Sequence, residues 1–193
     1  VKFTKTKIEG AWIIEPKVFE DDRGSFSEMW NSNDFSELLG IHHDFVQMNK
    51  SKSNENVLRG LHYQIEHPQA KLVWVNSGII LDVFVDLRKN SPTFGMWDSY
   101  KFDVLNRGTL LYIPAGCAHG FMVKSIEGGF NYLVSDYRYP EYERTLMWND
   151  PDLKIDWQLG QFGIGDRVPI LSDKDKNGHL FKDYEEGTKI YDK

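Results

Sequence analysis

Between Gln47 and Gln64 the chain sets two amides, a cation, a glycine and an imidazole close together, as Gln47-Met-Asn49 and then Val57-Leu-Arg59-Gly60-Leu-His62-Tyr-Gln64. An imidazole exchanges protons near neutral pH, since its unperturbed pKa is about 6.5. A guanidinium can fork onto phosphate or carboxylate oxygens. Together they could hold an anionic molecule and move a proton on it. The element beneath them must be a strand, and in a regular strand side chains alternate, so Arg59 and His62 should face opposite ways. A bulge at Gly60 would turn both to one side, and glycine inside a strand often marks such a bulge. A buried histidine beside a surface arginine is the plain alternative, and these residues alone leave both open.

The rest of the chain bounds the answer. Its 193 residues suit one domain, 1–193, with a sizeable core. Aromatic and β-branched runs recur at short intervals, which predicts a mostly β protein. The net charge of −6 is spread without a basic block, so nucleic acid and anionic membranes are not expected partners. No apolar run approaches the roughly 20 residues of a membrane helix, and no signal peptide is expected. The single cysteine, Cys117, allows no internal disulfide and fits a reducing cytoplasm; its apolar neighbours make it a small core residue, not a nucleophile.

In order along the chain, residues 1–20 read as edge or exchanged strands, Asp21-Asp22-Arg23-Gly24 as a turn, and Ser25 to Trp30 as a strand. Asn31 to Gly40 reads as a helix, capped by Ser32 or Asn33, with Phe35, Leu38 and Leu39 on its buried side and Gly40 ending it. Strands are predicted at Asp44–Asn49, Val57–Gln64, Lys71–Asn76, Ile79–Leu87, Met96–Val104, Thr109–Ile113, Gly120–Ser125 and Gly129–Asp136, with Lys50 to Asn56 a poorly structured polar run. Turns at Asn76-Ser77-Gly78, Asn106-Arg107-Gly108 and Glu127-Gly128-Gly129 separate them. Residues 176–193 read as a polar tail. The clearest alternation sets Ile79, Leu81, Val83, Val85 and Leu87 against Ile80, Asp82, Phe84, Asp86 and Arg88. Two carboxylates on one face of a central strand need water or a binding cavity, and a small barrel provides the second.

Gly108 to His119 spaces Gly, Pro114, Gly116 and His119 as the second motif of the cupin jelly roll does. The first cupin motif is altered: His62-Tyr63-Gln64 keeps one histidine, and Lys71 stands where the metal-binding carboxylate would be. An ammonium there repels a divalent cation and removes a ligand. It can still stabilise an oxyanion as a Lewis acid would. The expectation is an all-β double-stranded β-helix, or jelly-roll (cupin) barrel, with one short helix near 32–40, a small helical or irregular C-terminal segment, no catalytic metal and no cofactor.

Nearly the whole chain, from about Ile14 to Asp175, resembles the dTDP-4-dehydrorhamnose 3,5-epimerase family. The motifs that carry this are Asp22-Arg23-Gly24-Ser-Phe26-Ser-Glu28, Gln47-Met-Asn49-Lys-Ser51, Val57-Leu-Arg59-Gly-Leu-His62-Tyr-Gln64, Lys71-Leu-Val, Asp82-Val-Phe-Val-Asp86-Leu-Arg88, Ser91-Pro-Thr-Phe-Gly95, Ile113-Pro-x-Gly-x-Ala-His119-Gly-Phe, Trp148-Asn-Asp-Pro151 and Leu171-Ser-Asp-Lys-Asp175. The resemblance implies inversion of C3 and C5 in a nucleotide-linked 4-keto-6-deoxyhexose. Both carbons adjoin the C4 ketone, so each needs deprotonation, a held enolate and reprotonation from the other face. By the resemblance His62 is the base, Asp175 its carboxylate partner, Tyr132 the proton donor opposite, and Lys71 the cation at the enolate oxygen.

The same resemblance makes Arg23, Phe26 and Glu28 contacts that reach the site from a partner subunit, which implies a homodimer with strands of 1–30 exchanged. Gln47 and Asn49 match nucleotide contacts and Arg59 a diphosphate contact; His119, Glu143 and Lys174 match further binding positions. Arg138 stands where an aromatic usually stacks on the base; its planar head can stack too, or a CDP- or GDP-sugar could replace the dTDP-sugar. Other readings are inversion at one carbon only, a 3,4-ketoisomerase, or a non-catalytic carbohydrate-binding cupin.

Overall fold

The computed structural model describes residues 1–42, 44–105, 108–160 and 168–184. The turn expected at Asn106 and Arg107, and 185–193 of the expected polar tail, lie outside the described residues.

Two facing antiparallel sheets form the jelly roll. The six-stranded sheet runs in the order β1 (Lys2–Lys5), β2 (Trp12–Glu15), β10 (Leu110–Ile113), β7 (Lys71–Ser77), β12 (Glu127–Val134) and β5 (Gln47–Asn54). The five-stranded sheet runs β13 (Glu143–Thr145), β6 (Leu58–Gln64), β11 (Cys117–Val123), β8 (Ile79–Asp86) and β9 (Trp97–Asp103). A separate hairpin, β3 (Val18–Asp21) with β4 (Gly24–Ser27), pairs only with itself.

The alternation read along Ile79–Leu87 sorts side chains onto two faces, as expected. Ile80 and Phe84 point between the sheets, where they pack with Val73, Leu111, Phe121 and Phe130. Leu81, Val83, Val85 and Leu87 point outward, under Leu146, Leu153 and Trp157 of the C-terminal segment. The outer face of the larger sheet is covered by α1 (Ser32–Leu39) through Phe35, which packs with Ile14, Leu72 and Leu110. The helix is capped by Asn31, whose side chain accepts from the Asn33 amide, one position before the expected Ser32 or Asn33; Gly40 ends it in the left-handed region at φ 65°.

Glu127 to Gly129, expected as a turn, are already paired strand at the start of β12, and the strand opposite them is longer than expected. Lys50 to Asn54, expected to be poorly structured, continue β5 and pair with β12 from Asn54↔Glu127 to Gln47↔Val134. The backbone partner overrides the low strand propensity of Lys, Ser and Asn. Within this chain β2 pairs with β10 and β1 with β2, while among the described residues the β3–β4 hairpin pairs with no further strand.

Candidate active site

The bulge foreseen at Gly60 is present. Opposite β11, His119 pairs with His62 and Phe121 with Arg59, so β6 takes three steps where β11 takes two. The extra residue turns Arg59 and His62 to one face, and both line a cavity of about 250 Å³ between the sheets. Only glycine fits the crossing. Gly60 has φ 123°, and a Cβ there would lie 2.5 Å from Gly120 Cα.

The two walls carry different chemistry. His62 and His119 come from the five-stranded sheet; Gln47, Asn49, Lys71 and Tyr132 come from the six-stranded one. Imidazole and phenol therefore meet the cavity from opposed sheets. Gln47 and Asn49 sit two apart on β5 and bond to each other, Gln47 Nε2 donating to Asn49 Oδ1 at 2.7 Å.

His62 Nε2 lies 2.6 Å from Asp175 Oδ1. Asp175 is on α2 (Asp173–Lys176), a single turn whose N-cap Ser172 accepts from the Asp175 amide and donates its hydroxyl to Asp175 Oδ2 at 2.9 Å. Burial raises the Asp175 carboxyl, but hydrogen bonds from His62, Ser172 and the Gly60 amide outweigh it and hold it below the usual carboxylate range. An ionised Asp175 accepting from Nε2–H leaves Nδ1 as the basic nitrogen of His62. Ser172 was not singled out as a site residue from sequence, although its place three residues before Asp175 is a helix-cap pattern.

Lys71 is buried, and that burial lowers its ammonium to about 8 against the opposing charges of Asp82 and Glu143. Among the described residues its Nζ makes no hydrogen bond or ion pair. His119 Nε2 lies 2.8 Å from Asp82 Oδ2, and both side chains are buried. Burial pushes His119 down and Asp82 up, against the attraction between the two. Of the two roles considered for Asp82, the structure shows a hydrogen bond to His119 and only a charge interaction with Lys71.

Tyr132 is half-buried beside Asn49; burial and the nearby Glu143 charge raise its phenol. At the rim, Glu143 takes Arg138 on one oxygen at 2.7 Å and Lys174 on the other at 2.8 Å. Burial raises Glu143, and these two cations more than offset it. The guanidinium of Arg138, expected to stack on a base, here forks onto Glu143 with both Nε and Nη2. Arg23, Phe26 and Glu28 do not join this cavity. Arg23 is 89% exposed and paired with Asp21, Phe26 is 69% exposed on the hairpin, and Glu28 accepts from Asn31.

Comparison with known proteins agrees with this geometry. The family profile described as dTDP-4-dehydrorhamnose 3,5-epimerase matches residues 5–183. The enzyme of that name from Pseudomonas aeruginosa is 46% identical over 183 residues, covering 95% of this chain and 97% of the relative. A crystal structure of the Elizabethkingia anophelis enzyme superposes with TM-score 0.87 at 45% identity, covering 94% of this chain and 97% of the other. One from Legionella pneumophila, solved in complex with dTDP-4-keto-L-rhamnose, does so with TM-score 0.87 at 42% identity, covering 95% and 94%. With a matching profile, matching relatives and an imidazole and a phenol in opposed walls, the chain belongs to the dTDP-4-dehydrorhamnose 3,5-epimerase family and is an isomerase.

Proposed function

We propose that this chain converts dTDP-4-dehydro-6-deoxy-D-glucose to dTDP-4-dehydro-L-rhamnose by inverting C3 and C5 in turn. The observation that carries this is the placement of His62 on one sheet and Tyr132 on the facing one, with Lys71 lining the cavity from the same sheet as Tyr132. His62, with Nε2 committed to Asp175, takes the proton from the carbon next to the ketone through Nδ1. The C–H electron pair moves into the ring and onto the C4 oxygen, where the ammonium of Lys71 holds the enolate. Tyr132 then delivers a proton from the other sheet, so the carbon emerges inverted. The imidazolium and the phenolate return to their starting forms by exchange with water. The same sequence serves the second carbon, since both adjoin the same ketone. Neither inversion changes an oxidation state, so no redox cofactor is called for, and an ammonium in the wall disfavours a divalent cation. Stoichiometric zinc or iron on His62 and His119 would overturn that part.

Arg59 takes the diphosphate, with Gln47, Asn49 and His119 along the nucleotide and sugar, and Glu143 setting Lys174 and Arg138 at the rim. A cavity of about 250 Å³ is below the roughly 300–1,000 Å³ usual for ligand sites, so part of a sugar nucleotide must lie against other walls. The self-paired hairpin with exposed Phe26 and Arg23 supplies that wall in a homodimer, reaching the partner's cavity together with Glu28. The single buried thiol is consistent with work in the cytoplasm.

Incubation with dTDP-4-keto-6-deoxyglucose in D₂O, followed by NMR, tests the reading. Deuterium at C3 and C5 is expected. Deuterium at C3 alone would instead mark a single inversion or a 3,4-ketoisomerase, and none would mark a binding protein. Repeating it with CDP- and GDP-linked sugars checks the nucleotide.

A further inference from the structure

β5 presents an inward row of Gln47, Asn49, Ser51 and Ser53, with Met48, Lys50, Lys52 and Asn54 on the other side. The first two residues belong to the site as already described. The second two do not, and each carries a separate observation. Ser53 is 5% exposed, and its Oγ accepts from Arg59 Nε at 3.0 Å, a bond that crosses from one sheet to the other. It is the only hydrogen bond Arg59 makes among the described residues, so the two terminal nitrogens of the guanidinium remain uncommitted. Ser51 lines the cavity, and its Oγ is shielded from water yet has no hydrogen-bond partner among the described residues.

A buried hydroxyl left without a partner is unfavourable, so its place in a cavity wall points to a ligand that completes it. Ser51 and Ser53 are neighbours on one strand face, about 7 Å apart at two residues' rise. A guanidinium fixed by its Nε edge turns its outer nitrogens as a fork, the geometry that matches two oxygens of a phosphate. From these facts we infer that Ser51 and Ser53 extend the site into an oxyanion subsite: Ser53 positions Arg59, and Ser51 donates its hydroxyl to an oxygen of the same diphosphate. This rests on the reading of the ligand as a nucleotide diphosphate, but it concerns only the phosphate end. Ser53 is thus a positioning residue that acts through Arg59, and Ser51 a direct contact.

A double-mutant cycle separates these roles, with calorimetric titration of inorganic pyrophosphate and of dTDP as the readout. Ser53→Ala is expected to weaken both ligands about tenfold, and Ser51→Ala about fivefold. In an Arg59→Ala background, Ser53→Ala should add less than twofold, because the residue it positions is gone. Ser53→Thr keeps the hydroxyl and should restore binding to within about twofold. In turnover, both alanine variants should raise KM with kcat within about twofold of wild type, as a loss of ground-state and transition-state binding alike requires. Equal losses from Ser53→Ala with and without Arg59, or a fall in kcat with pyrophosphate affinity unchanged, would overturn the inference. Thermal melts of each variant show whether a loss is one of folding, and the threonine variant then decides. If wild type binds pyrophosphate in the cycle as expected but exchanges no deuterium into the sugar, the subsite stands and the epimerase reading falls.

Discussion

His62–Asp175 and His119–Asp82 are the same chemical pair, set directly opposite each other across β6 and β11 at 2.6 and 2.8 Å. Their surroundings make them different devices. Asp175 receives three hydrogen bonds and is held ionised, while the His62 ring keeps 30% of its surface open to the cavity. Asp82 is fully buried with one oxygen, Oδ1, unpartnered among the described residues, and burial drives both it and His119 toward their neutral forms. One pair has an ionised carboxylate behind a ring open to the cavity; in the other, burial weighs against charge on either partner. Residue type alone does not set the two pairs apart; the donors arranged around each carboxylate do.

The largest break in that comparison is His62→Ala. Losing a positioned base should reduce turnover by about 10²–10⁴-fold while circular dichroism and melting temperature stay near wild type, because the ring is partly exposed. Wild-type turnover in this variant would remove His62 from the chemistry. Next comes Lys71→Met, which is expected to lower kcat by about 10²–10³-fold. It should also stabilise the fold. A shift from 10.5 to about 8 corresponds to at most about 3 kcal/mol of charge burial, relieved when the ammonium is removed. In the wild type, activity should fall as pH rises through about 8, where the lysine loses its proton, and this limb should be absent from the residual activity of Lys71→Met. A variant both less stable and unchanged in its alkaline limb would contradict the role.

Smaller, and read here on stability, is His119→Ala. It leaves Asp82 buried without the one hydrogen-bond partner it has among the described residues, which should destabilise by about 2–4 kcal/mol and lower the melting temperature by roughly 5–15 °C. Since burial already raises Asp82, the loss should be greatest at neutral pH and shrink in acid as the carboxyl takes a proton.

Much of this was legible in the sequence, for reasons that differ by residue. The strand at Ile79 announces itself because both its faces are buried and its period is strict. The bulge at Gly60 was one of two readings open from a glycine between Arg59 and His62, and the pairing of β6 with β11 decides for it. Tyr132 and Asp175 carry no local signal; only the match to a family singles them out, because Asp175 meets His62 from 113 residues away and Tyr132 enters the cavity from the other sheet. β5 beyond Asn49 was read as loop since lysine, serine and asparagine do not favour strands, and nothing nearby in sequence tells that β12 pairs with it. The missed Ser53 and Ser51 lie in that misread stretch. The deeper limit is the hairpin: the sequence shows Arg23, Phe26 and Glu28 as a motif, but a single chain leaves them outside its own cavity.

The finest test of the two pairs compares Asp175→Asn with Asp82→Asn in melts from about pH 2.5 to 7. Asp175 is depressed in the folded protein, so its ionised form contributes stability above the ordinary carboxylate range, and that contribution is lost as pH falls through the depressed value. Asp175→Asn should therefore melt below wild type at pH 7, by an amount on the order of 1 kcal/mol, and the gap should close in strong acid. Asp82 is raised, so its ionised form is a liability above the raised value and none below the unfolded one. Relative to wild type, Asp82→Asn should do best at neutral pH and lose that standing as pH falls. The two difference curves must therefore slope in opposite directions. If they run parallel, the two carboxylates respond alike to their surroundings, and the division of labour between the paired histidines has no electrostatic basis.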